Sequence, residues 1–270
     1  MELQALLKTP QALPAVPEVA AQLIRTFDAD DADLASIAKL ISQDPVLSGK
    51  LLQQANSSFF RRMRPAATVQ DALAVLGLNK VRALVLAATL NQQFNRVAGV
   101  DLPAFWNYSL ATAALARYIT EPLTLDDNIA FTTGLLHAIG ELVMHMGMPV
   151  QMGNLDRDLP LMDLKRAQGQ YATFGYSYAE VGAALAQTWH LPKPMVDAIR
   201  FLAHPLEASE GQPLAAVLHL AAWRARAFVA DLPQDALIYT YPDTVGLVLD
   251  VDPDRLVPVG IEPLQNLPSW

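Results

Sequence analysis

The feature that most constrains this chain is a recurring mark of helix starts, with no segment that sustains the every-second-residue alternation of a strand. Asp44-Pro45 and Asp252-Pro253 each set a capping carboxylate before a proline at the first helical position, where its missing N–H costs nothing. Pro17 can open a helix through Val19–Ile24 in the same way, and Asp31 or Asp33 can cap Leu34–Ile41. Thr68 and Asp71 approximate a capping box ahead of Ala72–Leu76, and Gly77 falls where a helix-ending residue belongs. The same reasoning predicts helices over Val46–Ala55, from an Asn79 cap to Val97, and near 103–119, 127–146, 156–168, 177–189, 193–203 and 212–229. Leu237–Tyr241 is ambiguous, whereas Val245–Leu249 leans to helix because a cap signal follows it. The expected class is all-α.

Composition narrows the setting. With 52% hydrophobic and 17% charged residues, the 270-residue chain can bury a large core as one large or two small domains. It contains no Cys, which excludes disulfides, thiolate metal sites and thiol catalysis and fits a reducing compartment. Met1-Glu2-Leu3-Gln4 lacks the basic start of a signal peptide, and no uncharged apolar run reaches the roughly 18 residues of a membrane span. The expectation is a soluble cytoplasmic protein with no membrane partner. Gly99 to Pro103 is the expected seam between an N-terminal helical lobe (1–100) and a second helical lobe (101–230). Prolines at 233, 242, 253, 258, 263 and 268 suggest a docked, loop-rich tail over 231–270.

Charge is unevenly spread. Residues 1–100 carry ten Lys/Arg against eight Asp/Glu, a net of +2, and the remainder carries nine against nineteen, a net of −10. Nucleic acid is therefore not an expected partner. The most cationic cluster, Phe59-Phe60-Arg61-Arg62-Met63-Arg64, with Lys80 and Arg82 as additions, is a candidate anion or partner surface. The preferred reading of so short a run is a solvated connector whose Phe residues pack inward. No Gly-rich phosphate loop, Gly-x-Ser-x-Gly elbow or His-Glu-x-x-His occurs.

Several phrases stand in a specific order: Leu13-Pro14-Ala15-Val16-Pro17, Ile41-Ser42-Gln43-Asp44-Pro45, Leu51-Leu52 through Phe59-Phe60, Ala72-Leu73 through Gly77-Leu78, Phe105-Trp106-Asn107-Tyr108-Ser109, Gly134-Leu135-Leu136-His137, and Tyr178-Ala179-Glu180-Val181-Gly182 through His190-Leu191-Pro192. Over roughly residues 10–230 the chain resembles HDOD proteins, the HD-related output domains of bacterial signalling. The resemblance implies an all-helical fold, with an N-terminal helical lobe packed on an HD-like lobe. It also implies kinship with the HD-GYP cyclic-dinucleotide phosphodiesterases and, for most members, a regulatory rather than catalytic role.

HD enzymes hold divalent metals with His and Asp ligands, and the resemblance implies where those should fall. The early His position is Tyr108, the His-Asp pair is His137-Ala138, a further His position is Tyr178, and the late Asp position is Ala222. Catalysis of this type uses the metals to activate water and to shield phosphate charge. With these replacements no metal, cofactor or hydrolase activity is expected. His137 is read first as a packed residue sharing a helix face with Glu141, four positions on. The fold could also bring it together with His204 and His219 in a residual pocket. The leading expectation is a non-catalytic signalling regulator that works by contact with other signalling proteins. Behind it stand a degenerate pocket that binds a nucleotide or cyclic dinucleotide without cleavage, then an active phosphohydrolase, then nucleic-acid binding.

Overall fold

The computed structural model describes residues 2–9, 20, 21, 23, 34–56, 65–123, 125–207 and 213–257. Among them all regular structure is helical. The helices are α1 (Leu3–Leu6), α2 (Leu34–Ile41), α3 (Pro45–Ala55), α4 (Val69–Leu76), α5 (Leu78–Gln93), α6 (Leu102–Thr120), α7 (Asp127–Leu136) and α8 (Ile139–Gly147). They continue as α9 (Pro149–Asp158), α10 (Arg166–Phe174), α11 (Tyr178–Thr188), α12 (Lys193–Arg200), α13 (Pro213–Val229), α14 (Gln234–Thr240), α15 (Asp243–Leu249) and α16 (Pro253–Leu256), with a 3₁₀ turn at Pro205–Glu207.

The cap chemistry works as its residues dictate. The Asp44 carboxylate accepts from the Val46 and Leu47 amides at 2.8 and 3.1 Å, and Asp252 accepts from Asp254 at 2.8 Å. Thr68 and Asp71 form a reciprocal capping box, and Gly77 ends α4 with φ +78°. Gly77, rather than Asn79, also precedes the first residue of α5, and that helix stops at Gln93. Residues 10–19, 24–33 and 57–64, which include the Pro17 start and the Asp31/Asp33 cap, lie outside the described residues.

Three expectations need correcting. The segment 156–168 is not a helix: α9 ends at Asp158 and α10 begins at Arg166. Pro160 explains this, because a proline pushes the residue before it to extended geometry, and Leu159 sits at φ −133°, ψ 87°. The C-terminal stretch to Leu256 is helical rather than loop-rich. Pro233 and Pro242 stand at N-caps and Pro253 at the first helical turn, so these prolines start helices. Leu237, Tyr241, Val245, Leu249, Val251 and Leu256 dock this part on the core. The third correction is that 127–146 is two helices, α7 and α8, broken at His137-Ala138.

The buried apolar residues gather mainly in two clusters. One lies within residues 23–88, and the larger takes in most of the chain from Leu86 onward, with Leu6 and Ala20. α5 faces both, giving Val81, Val85 and Ala88 to the first cluster and Leu86 and Leu90 to the second. In the larger cluster α6 packs against α7 and α13, and α11 packs against α8 and α12. Among the described residues one stretch, Asp127–Gly147, is apolar and long enough to cross a membrane, and it is mostly buried in this core.

Candidate functional site

Four elements converge where the metal positions were expected. α6 contributes Tyr108, the end of α7 contributes His137, α11 begins with Tyr178, and α13 carries Ala222. Tyr108 and His137 are fully buried, and Tyr178, Ala138 and Ala222 nearly so. The α7–α8 break follows from local chemistry. His137 Nδ1 lies 2.6 Å from the Gly134 carbonyl oxygen. A carbonyl only accepts, so Nδ1 must carry the proton and the imidazole occupies the last turn's acceptor. Close approach of α8 and α11 then sets Tyr178. A Cβ at Gly140 would lie 2.0 Å from the Tyr178 carbonyl oxygen and 2.7 Å from the Gly182 nitrogen, a contact only glycine permits.

The Tyr108 and His137 rings meet edge to face, with centroids 4.9 Å apart. Above them stands a residue that sequence reasoning passed over. Arg226 is one turn beyond Ala222 on α13 and places its guanidinium carbon 5.5 Å from the Tyr108 ring centre and 5.9 Å from that of Tyr178. Its Nη2 donates to the Tyr178 hydroxyl at 2.8 Å. It retains partial solvent exposure, although its Nε is buried. Three buried polar atoms here lack a hydrogen-bond partner: Arg226 Nε, His137 Nε2 and the Tyr108 hydroxyl. Thr112 lies beside that hydroxyl, but its own hydroxyl donates to the Tyr108 carbonyl at 3.0 Å.

Electrostatics at the cluster are one-sided. Burial, assisted by the Arg226 charge and opposed by the Gly134 hydrogen bond, drives the His137 pKa down to about 3, so the ring is neutral. Burial pushes the Tyr108 pKa well above its ordinary value, which keeps the phenol protonated. Burial also lowers the pKa of His219, whose Nδ1 lies 2.8 Å from the Leu202 carbonyl oxygen, with Arg226 and His204 adding to the effect. The result is one permanent positive charge among neutral rings, with the Glu141 carboxylate within electrostatic reach of Arg226 and Tyr108.

Glu141, expected beside His137, is engaged by other partners. Its carboxylate receives Arg166 Nη2 at 3.0 Å and Nε at 3.1 Å, and Gln170 Nε2 at 2.8 Å. Arg166 also pairs with Asp156 at 2.8 Å and donates to the Leu159 carbonyl. These pairings outweigh burial and hold the Arg166 pKa above its usual value. His145 completes the group, 3.1 Å from Asp156 through Nε2 and 2.7 Å from the Glu141 carbonyl through Nδ1. Gln170 bridges the two regions, because its side-chain oxygen accepts from the Tyr178 amide at 2.8 Å.

The donor set does not fit an HD-type metal pair. What converges is one imidazole lone pair, two phenol rings and a guanidinium, and a fixed cation repels a divalent ion. Of the residues expected in the pocket, Tyr108, His137, Ala138 and Tyr178 are brought together around the α7–α8 junction, with Ala222 one turn from Arg226. His204 is exposed and does not join them. Of the expected cationic surface, Arg61, Arg62 and Arg64 lie outside the described residues, Lys80 is partly buried, and Arg82 is only 7% exposed. Arg82 is a buried residue near Asp126 and not an open contact. A sequence signal for Arg226 did exist: His219, Ala222 and Arg226 share one face of a mostly apolar helix.

An all-helical HD-like protein with a cation beside the positions where metal ligands were expected is the class that fold and site define. Comparison gives the family. The HDOD domain model matches residues 13–205, and the chain belongs to the HDOD family. A candidate phosphohydrolase from Shewanella amazonensis is 29% identical, with 94% of this chain and 91% of that one covered at a TM-score of 0.76. A candidate signal transduction protein from Marinobacter aquaeolei shares the fold at 21% identity, covering 91% of this chain and 55% of that one at a TM-score of 0.72. An uncharacterized protein of Treponema pallidum is 26% identical over 235 residues, which are 83% of this chain. The match spans 44% of the length of that curated relative.

Proposed function

We propose that this chain is a non-catalytic regulator of bacterial signal transduction in the cytoplasm, acting through contact with other signalling proteins. The observation that carries the reading is Arg226, a guanidinium set among Tyr108, His137 and Tyr178 where a hydrolase of this fold would gather carboxylates. Glu141 is held by Arg166 and Gln170 rather than by His137. Without a metal to lower the pKa of water and take up phosphate charge, the hydrolytic step has no driver. Kinship with the Marinobacter signal transduction candidate agrees with the reading, and kinship with the Shewanella phosphohydrolase candidate makes the catalytic alternative worth testing. Incubation with cyclic di-GMP and simple phosphoesters, with Mn²⁺, Mg²⁺ or Fe²⁺ added, should give no turnover above a heat-killed control. Turnover that His137→Ala abolishes would overturn the proposal. The second reading, binding without cleavage, is favoured by the three partnerless polar atoms around Arg226.

A further inference from the structure

Two arginines meet the polar interior, Arg166 fully buried and Arg226 partly exposed with its Nε buried, and only the first is neutralised. Arg166 has Glu141 and Asp156 within 3.0 Å, whereas no ion pair involves Arg226 among the described residues. Drawing a charge partly out of water without a counter-ion is costly, and two tyrosine faces return only part of that cost. Buried polar atoms in native proteins are rarely without partners, so three at one spot signal a missing group. Their chemistry specifies it. Arg226 Nε and the Tyr108 hydroxyl are donors and call for an anionic oxygen. His137 Nε2 is the opposite: Nδ1 is the donor to Gly134, so Nε2 is a lone pair and calls for a donor.

We infer that Arg226, Tyr108 and His137 form a binding site for a small oxyanion that still carries a proton, namely a phosphate or phosphate monoester group bearing a P–OH. Charged oxygens meet Arg226 and Tyr108, and the P–OH donates to His137 Nε2. Sulfate and simple carboxylates are fully deprotonated near neutrality and would press a second lone pair against that nitrogen. Arg226 is the member of the three that reaches solvent, with a partly exposed side chain. This inference rests on the proposed reading's premise that a cation, and not a metal pair, occupies the site.

The test is calorimetric titration of the full chain with EDTA present, at about pH 6, where a phosphate monoester is near its second pKa and about half of it still carries the proton. The probes are inorganic phosphate, phenyl phosphate and, at matched ionic strength, sulfate. Saturable binding of at least one phosphate is expected in roughly the millimolar range or tighter. Sulfate should be weaker by about tenfold or more, as a lost or opposed buried hydrogen bond requires. Arg226→Gln, checked for folding by circular dichroism, should weaken phosphate binding about tenfold or more. Tyr108→Phe, which deletes only a hydroxyl, should weaken it about threefold. His137→Phe should remove the preference for phosphate over sulfate, an effect that lost packing alone would not produce. Which phosphate binds separates the free ion from the monoester as ligand source. Absence of saturable binding by both phosphates, equal binding of sulfate, or unchanged binding in Arg226→Gln would each overturn the inference. The non-catalytic reading fails separately, by turnover of phenyl phosphate when EDTA is replaced with Mn²⁺.

Discussion

Arg166 and Arg226 are the same side chain held in two different ways, one fully buried and one partly exposed, joined through Gln170 and Tyr178. Around Arg166 every strong partner is present: Glu141 receives two of its nitrogens, Asp156 a third contact, and the Leu159 carbonyl the remainder. Around Arg226 the partners are π faces and one phenol, and polar atoms are left over. Charge matched by two carboxylates makes a staple that fixes α8, α9 and α10 to one another. Incomplete satisfaction, at the junction of α6, α7, α11 and α13, is what a site for an external group looks like. A buried charge is thus informative less through its presence than through whether its own chain completes it.

The sharpest way to break the contrast is to remove each guanidinium. Arg166→Met leaves the 2%-exposed Glu141 without its counter-ion, and chemical denaturation should show a loss of about 3–5 kcal/mol. Arg226→Met removes an uncompensated charge along with its π contacts, so stability should stay within about 1 kcal/mol of the parent. Equal losses at both positions would mean that Arg226 is a structural staple too.

A smaller effect comes from acid. His137 is neutral in the folded protein with a pKa near 3, while the unfolded chain protonates near 6.5. Its contribution is therefore intact above about pH 6.5 and is lost progressively as pH falls toward 3, because only the unfolded state takes up the proton. The slope is about 1.4 kcal/mol per pH unit, so lowering the pH from 7 to 5 should remove about 2 kcal/mol from this group. The depressed pKa of His219 adds to the fall in the same direction. Denaturation midpoints measured across that range should flatten in His137→Phe, and an unchanged slope would show that the imidazole accepts a proton in the fold.

The smallest expected change is at Tyr108. Its hydroxyl is buried without a partner, so Tyr108→Phe should leave stability unchanged or raise it by up to about 1 kcal/mol in phosphate-free buffer. A loss greater than about 1 kcal/mol, read by the same denaturation, would reveal a partner such as Thr112.

Helix class and most helix starts were legible in the sequence because caps and first-turn prolines act within a few residues. Asp44, Thr68, Asp101, Asp126 and Asp252 each accept from amides two or three positions on. The phrases from Leu13 to Pro192 likewise carried the family resemblance, and with it the positions Tyr108, His137, Ala138, Tyr178 and Ala222. Even the absent helix over 156–168 was written locally, in Pro160. What the sequence could not decide was which distant groups meet. The His137–Glu141 pairing assumed one continuous helix, but the His137 ring takes the Gly134 carbonyl and Glu141 turns to Arg166, 25 positions away. Arg226 reaches Tyr178 across 48 positions. Whether a buried charge finds a counter-ion depends on helices brought together by packing, as at Gly140, and no local spacing encodes that. The sequence by itself determined the helices and the family, while tertiary contacts alone decided that one arginine is sealed and the other left open.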